Sequence, residues 1–85
     1  MDDNFRNYII STGSVAFFNV AGVAYFNQPR DVNDLPQNGN WIIFVRRYSD
    51  NYVIQEALGS DMTTKGNRFY RIVNRMNQSI FFDWV

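Results

Sequence analysis

The segment Trp41–Leu58, which reads WIIFVRRYSDNYVIQEAL, constrains the fold most strongly. Two runs of β-branched and aromatic residues flank the turn-forming residues Ser49-Asp50-Asn51, a pattern that is typical of a β-hairpin. A three-residue loop at this turn places Phe44 opposite Glu56 on the neighbouring strand. The segment therefore predicts two long antiparallel strands at the centre of the fold.

The predicted hairpin has two faces, and both are mainly apolar. One face carries Ile42, Phe44, Arg46, Tyr48, Tyr52, Ile54, Glu56 and Leu58. The other carries Trp41, Ile43, Val45, Arg47, Val53, Gln55 and Ala57. An antiparallel sheet with one wet face alternates apolar and polar residues, so each face needs a cover from this chain or from a partner. A two-residue turn at Asp50-Asn51 would exchange the two faces.

The first part of the chain predicts further strands. We expect residues 1–9 to form an N-terminal strand or arm, with a weak strand pattern at Phe5–Ile10. The apolar run Val15–Val20 predicts a second strand, and Val23–Phe26 predicts its continuation or a separate short strand. A helix over Val15–Phe26 is the alternative, because alanine is frequent there.

A fourteen-residue loop, Asn27–Asn40, leads into the central hairpin. It contains Pro29 and Pro36, and an ordered loop of this length in a small domain is more often functional than a mere linker. Aspartate at its centre can cap a short helical turn over Asp31–Leu35. We therefore expect this loop to be ordered and packed on the sheet.

The C-terminal segment predicts a second hairpin, Arg68–Arg75 with Ser79–Trp84, joined by a three-residue loop. This register places Arg71 opposite Asp83, and opposite charges directly across a sheet are favourable. The other face of this hairpin clusters Tyr70, Ile72, Ile80, Phe82 and Trp84. We expect structural roles for Tyr70, Arg71, Asp83 and Trp84.

The composition of the 85-residue chain limits how it can be stabilised. A domain of this size buries only about 60–65% of the surface that its unfolded chain exposes, and the absence of cysteine excludes disulfides. Aromatic residues are 18% of the chain and charged residues only 19%, so association with other chains is the remaining route to stability. The sequence predicts a single all-β domain over residues 1–85: a small antiparallel sheet or sandwich of five to six strands with one long proline-containing loop.

The charge and the missing residue types exclude several classes of function. Eight basic residues balance eight acidic ones, whereas a general nucleic-acid binder needs a basic excess, so we expect no nucleic-acid partner. Without histidine and cysteine the chain has no Ser-His-Asp or Cys-His arrangement and no usual zinc site. No apolar run approaches the roughly 18 residues of a membrane span. We predict no catalytic residues, no cofactor and no metal, although paired carboxylates such as Asp31 and Asp34 leave a glycosidase or a calcium site formally open.

Six short motifs follow one another along the chain. They are Thr12-Gly13, Asn27-Gln28-Pro29, Trp41–Val45, Tyr52–Glu56, Phe69-Tyr70-Arg71 and Trp84. In their order and spacing the chain resembles the pyocin knob family, small domains of R-type pyocin and bacteriophage tail fibres. The similarity runs from Ile10 to the end, although Phe69 stands where the family often has tyrosine and the segment before Thr12 has no clear counterpart.

The resemblance implies a non-enzymatic virion protein that mediates assembly or host-surface attachment. It would be a knob of a fibre, a capsid decoration or part of a head fibre, located at the surface of the phage particle after synthesis in the host cytoplasm. Its implied partners are other copies in a homotrimer, other virion proteins such as a fibre shaft or capsid, and a host-surface glycan. The chain would then be either a piece of a fibre protein or a small separate virion protein.

Arginine beside aromatic side chains can contact a protein or a glycan through stacking and hydrogen bonds. The candidate contact surface consists of Arg30, Trp41, Arg46, Tyr48 and Tyr52. Packing in the core or in a trimer is nevertheless the favoured role for Trp41, and pairing with acidic residues such as Glu56, across strands or between subunits, is the favoured role for Arg46. One alternative function is a monomeric carbohydrate-binding module, which would use the Asn27–Asn40 loop together with Tyr48 and Tyr52. A small phage inhibitor of a host enzyme is a further alternative.

Overall fold

The computed structural model describes all 85 residues and contains one α-helix, one short 3-10 helix and five strands. The elements are α1 (Asp3–Thr12), the 3-10 helix (Val15–Phe17), β1 (Gly22–Gln28), β2 (Gly39–Arg47), β3 (Tyr52–Gly59), β4 (Arg68–Asn74) and β5 (Ile80–Phe82). The strands form a single antiparallel sheet in the order β1-β2-β3-β4-β5, so each strand lies beside the next one in the chain. The predicted antiparallel sheet is confirmed and has five strands, but the domain is mainly β and not all-β, because it contains α1.

The N-terminal segment is helical, so the prediction of a strand or arm over residues 1–9 is wrong. The carboxylate of Asp2 caps α1 by accepting a hydrogen bond of 2.8 Å from the backbone N–H of Phe5. Gly13 ends the helix in the left-handed conformation, with φ of 74°, which glycine adopts without a steric penalty. Both residues that end the helix, Asp2 and Gly13, are of the types that commonly cap helices.

The predicted strand Val15–Val20 is also absent, and the 3-10 helix followed by irregular backbone stands in its place. Side chains bind the backbone N–H groups that a sheet would have paired. The carboxylate of Asp34 accepts hydrogen bonds from Val15 N–H at 2.8 Å and Ala16 N–H at 3.2 Å. The hydroxyl of Ser14 caps the same turn. A strand in this segment would have left these contacts unmade.

The strand prediction for Val23–Phe26 is confirmed as part of β1, and the alternative helix over Val15–Phe26 is wrong. Residues 29–38 connect β1 to β2 and contain turns and bends but no helix, so the helical turn considered for Asp31–Leu35 does not form. Val32 and Leu35 nevertheless bury their side chains in the core. The connection is therefore packed on the domain.

The central hairpin has the predicted register. Phe44 lies opposite Glu56 and Arg46 lies opposite Ile54. One predicted face is buried as a set, and its members are Trp41, Ile43, Val45, Val53, Gln55 and Ala57. The local pattern of the hairpin therefore determined both the pairing and the division into faces.

The buried face is covered by α1, the 3-10 helix and the connection between β1 and β2. The core consists of Ile9, Val15, Ala16, Phe18, Phe26, Val32, Leu35, Trp41, Ile43, Val45, Val53, Ala57 and Val73. The domain measures 36 × 28 × 18 Å, and its shortest dimension is about that of a sheet and one layer packed on it. The second layer is thus helix and irregular chain packed on one side of the sheet.

The C-terminal strand pairs with β4 through a shifted register. Ile72 lies opposite Phe82, whereas Val73 lies opposite Ile80, so one extra residue is inserted there. Tyr70 exchanges two backbone hydrogen bonds of 3.0 Å with Val85, which shifts the pairing by one further residue. The predicted register, with Arg71 opposite Asp83, sets Tyr70 opposite Trp84, so the pairing of Tyr70 with Val85 moves Trp84 to the other face of the sheet. As a result Trp84 packs against the core instead of clustering with Tyr70 and Phe82 as expected.

Replacing Gly59 by alanine should destabilise the domain, because the added methyl group would overlap the backbone carbonyl of Thr64. We expect the free energy of unfolding to fall by about 2–3 kcal/mol, as for other overpacked sites. Gly22→Ala is the matched control, since its methyl group would meet the Phe18 ring at an ordinary 3.6 Å. Urea denaturation should place the control within about 1 kcal/mol of the natural chain; equal midpoints for both variants would contradict the packing at Gly59.

Candidate functional site

The most distinctive surface is the side of the sheet that faces away from α1, here called the open face. By strand register it carries Val23, Tyr25, Ile42, Phe44, Arg46, Tyr52, Ile54, Glu56, Leu58, Arg68, Tyr70, Ile72 and Phe82, of which only Ile72 is buried. Val23, Tyr25 and Tyr70 are exposed, and most of the other apolar members are half-buried only by their neighbours on the sheet. Contiguous apolar patches of this kind mark interaction surfaces in soluble proteins.

Three charged side chains lie on the open face. Arg46 on β2 donates a hydrogen bond to the carboxylate of Glu56 on β3. Arg68 begins β4 on the far side of Glu56 and has no ion-pair partner within the chain. A groove of about 430 Å³ runs between these charges, and apolar side chains including Phe44 and Leu58 line it. The face therefore combines an apolar floor with adjacent charges of opposite sign.

The edge of the sheet at β1 is closed by side chains. Arg6 on α1 donates two hydrogen bonds, of 2.9 and 3.2 Å, to the backbone carbonyl of Tyr25. The carboxylate of Asp31 accepts a hydrogen bond of 2.8 Å from the backbone N–H of Asn27. Because these groups occupy the outward backbone positions, the edge offers little for a further strand to pair with.

The carboxylate of Asp31 is held in its charged form at this edge. Burial raises the pKa of Asp31, but hydrogen bonds from the Arg30 side chain and the Asn27 backbone, with the charges of Arg30 and Arg6, bring that pKa below its ordinary value. Nη2 of Arg6 lies 3.4 Å from Oδ2 of Asp31. The ion pairs thus fasten the helix to the first strand.

The structure brings together only part of the predicted contact surface. Arg46 and Tyr52 share the open face, and Tyr48 follows β2 at the same end of the sheet. Trp41 lies in the core with no exposed surface, and its indole N–H donates to the Gln37 carbonyl at 2.9 Å. Trp41 therefore does not belong to a contact surface.

Arg30 lies at the opposite end of the sheet from Tyr48. It follows β1 beside Gly39, where β2 begins, and β2 has nine residues. At about 3.3 Å per residue the two ends of β2 are roughly 26 Å apart. The same separation keeps the connection between β1 and β2 away from Tyr48 and Tyr52, so the surface expected for a carbohydrate-binding module is not assembled in one place.

The residues expected to be structural meet in a buried polar network around Arg71. The guanidinium of Arg71 is 1% exposed. It donates hydrogen bonds to the side-chain amide oxygen of Gln55 at 2.8 Å and to the Asp34 carboxylate at 2.7 Å. The predicted contact with Asp83 is present at 3.4 Å. The Trp84 ring stacks on the guanidinium at 4.4 Å, a favourable cation–π geometry.

The network fastens the covering layer to the sheet. The Gln55 amide donates to the carbonyls of Val15 and Phe18 at 2.8 and 3.0 Å. Asp34 joins the same layer through its hydrogen bonds to the 3-10 helix, and its backbone carbonyl accepts from the Trp84 indole at 2.8 Å. The mid-strand position of Gln55 predicts a structural role for it, but the sequence does not indicate Asp34 as a member, because Asp34 lies 37 positions from Arg71 in the chain.

A second polar cluster lies where the β3–β4 connection meets the start of β2. The carboxylate of Asp61 accepts hydrogen bonds from the hydroxyl and backbone N–H of Thr63 and from the same two groups of Thr64. It also accepts one from the backbone N–H of Asn40 at 2.8 Å. These hydrogen bonds hold the pKa of Asp61 well below its ordinary value. The bond from the Thr63 hydroxyl has the largest effect, and the bond from the Asn40 backbone N–H has the next largest. These hydrogen bonds stabilise the β3–β4 connection and hold it against the start of β2.

The carboxylates do not gather into a metal-binding group. No three residues among aspartate, glutamate, histidine and cysteine lie together in a way that could hold an ion. Asp31 pairs with Arg6 and Arg30, whereas Asp34 pairs with Arg71, so each of these carboxylates has its own cationic partner. The one α-helix, at ten residues, is too short and too polar to cross a bilayer.

Comparisons with protein-family models, with curated proteins and with solved structures gave no significant match for this chain. The similarity to pyocin knob domains therefore stays a prediction from the motifs in the sequence. The open face is the feature of the structure on which a function can be argued.

Replacing Arg71 by lysine should weaken folding although the charge is kept. An ammonium group cannot reach Gln55 and Asp34 with the planar fork of a guanidinium, so buried acceptors lose their donors. We expect the free energy of unfolding to fall by about 3 kcal/mol, measured by urea denaturation. The control Arg47→Lys changes an exposed pair with Asp50 and should cost less than about 1 kcal/mol. Similar losses in both variants would contradict the network.

Replacing Asp61 by asparagine should destabilise the domain at neutral pH but not in acid. The folded-state pKa of Asp61 is depressed, so its stabilisation is present above the unfolded-state pKa of about 3.9 and disappears as the pH falls through the folded value. Thermal melts of both proteins from pH 7 to pH 2 should therefore converge at low pH. A difference that stays constant over this range would show that the charge of Asp61 is not involved.

Proposed function

We propose that this protein is a non-enzymatic virion component, a module of a fibre or capsid that mediates assembly or attachment through protein contacts of its open face. The observation that carries the proposal is the unequal covering of the sheet. One face is packed by α1 and the neighbouring chain, whereas the other presents an apolar surface with a groove and adjacent charges. A surface of this kind suits a lasting contact with another protein.

The motifs shared with pyocin knob domains support the virion part of the proposal. That resemblance predicts a homotrimer, other virion proteins and a host-surface glycan as partners. The open face supports a protein partner better than a glycan, because aliphatic side chains such as Ile42, Ile54 and Leu58 make up much of its middle. The residues expected for glycan contact are in addition divided, because Arg30 and Tyr48 lie at opposite ends of the sheet.

The proposal predicts that the chain is built into particles through the open face. In particles purified from cultures that carry the gene, mass spectrometry should detect the protein at the copy number of a structural component. A tagged Phe44→Glu variant should remain in the unassembled fraction, because the charge lies in the middle of the apolar surface.

Met62→Glu is the matched control, since Met62 is 77% exposed in the connection after β3. It should enter particles like the unchanged protein, and circular dichroism should show both variants folded. Absence of the unchanged protein from particles would refute the virion role. Equal incorporation of a folded Phe44→Glu variant would refute the role of the open face.

A further inference from the structure

The partner of the open face can be identified from the charges on that face. Arg46 and Glu56 are adjacent, opposite in sign and centred among apolar side chains. Consider a two-fold axis that lies above the open face, parallel to the sheet, and crosses the line from Arg46 to Glu56 at a right angle. A second copy generated by this axis has its Arg46 over Glu56 of the first copy, and its Glu56 over Arg46. The face is therefore complementary to itself, which is the condition for a contact between two identical surfaces.

The form of the surface favours a pair over a ring. A cyclic trimer needs two different complementary surfaces on each chain, whereas a two-fold pair uses one surface twice. This chain presents one apolar sheet face, and Arg6 and Asp31 close the β1 edge against strand addition. The remaining edge strand, β5, has only three residues. Face-to-face packing is thus the contact that the structure leaves open.

The area is sufficient for such a contact. Strands β1 to β4 have seven to nine residues each. With neighbours about 4.8 Å apart and a rise of about 3.3 Å per residue, they form a face of roughly 20 × 25 Å, or about 500 Å². Two such faces remove about 1,000 Å² from water, which is about the minimum for a biological interface. Arg68 lies at the end of β4 and can keep its charge in solvent at the rim.

We propose that the open face binds the open face of a second copy of this protein, forming a two-fold sandwich in which Arg46 of each chain pairs with Glu56 of the other. The inference rests on the proposed function of this surface and names its partner. Two sheets packed in this way lie about 10 Å apart with their apolar side chains interdigitated. The copy then supplies the second layer on this side of the sheet.

Charge reversal tests this pairing. Light scattering after size exclusion should give the unchanged protein twice the mass of one chain at micromolar concentration. Arg46→Glu and Glu56→Arg, each alone, bring like charges together and should weaken association at least about tenfold. An equimolar mixture of the two variants should regain the double mass, because each charge then meets its opposite across the interface.

The control reverses the exposed pair Arg47 and Asp50, which lies outside the open face. The variant Arg47→Glu/Asp50→Arg should keep the double mass. Circular dichroism and thermal melts establish that each single variant is folded. If one of them is not, the double variant Arg46→Glu/Glu56→Arg provides a second test: it should pair with itself and fail to exchange with labelled unchanged protein.

A monomer or a trimer for the unchanged protein would overturn the inference, as would folded single variants that stay paired or a mixture that does not recover. A cyclic trimer cannot be restored by mixing two variants, because an odd ring keeps one contact between like charges. Particle incorporation, in contrast, depends on the open face whichever chain covers it. A monomeric protein that still enters particles would thus refute the two-fold pair and leave the proposed function intact.

Discussion

The buried guanidinium of Arg71 is the contact on which the rest of the structure depends. It lies in the middle of β4, yet its donors reach Gln55 on β3 and Asp34 in the connection between β1 and β2. Through these two side chains it holds the 3-10 helix in place, and the Trp84 ring closes over it. A buried charge is costly unless its donors are used, so the network accepts few other arrangements of the covering layer.

The second constraint is the length of the chain. About two-fifths of the residues form the sheet, and the remainder supplies one covering layer, which packs on a single face. The strands nevertheless carry apolar side chains on both faces. Phe44 and Ile54 are only partly buried, and Tyr70 is exposed. Burial of apolar surface at about 25 cal/mol per Å² is a strong force for association. The proposed pairing with a second copy would bury this apolar face of the sheet.

Parts of the candidate site could be predicted and parts could not. The position of Arg46 on one face with Glu56 nearby follows from the hairpin register, which the turn and the alternation of side chains specify. Val23 and Tyr25 joined this face only when β1 paired with β2, and nothing in the loop between them reveals that register. Trp41 alternates with Ile42 along β2 and so lies on the face that α1 covers, which makes it a core residue and not part of the contact surface.

The sequence by itself determined the central hairpin, its register, its two apolar faces and the contact of Arg71 with Asp83. Strand pairing across a short turn follows from local chain geometry, and the relevant residues are close in sequence. Only the tertiary structure decided which face is covered, that the N-terminal segment is helical, and that Trp84 turns toward the core. These outcomes depend on hydrogen bonds between residues that lie up to about fifty positions apart, such as the Trp84 indole and the Asp34 carbonyl. The local sequence pattern of either segment does not reveal such contacts, because they join residues that are far apart in the chain.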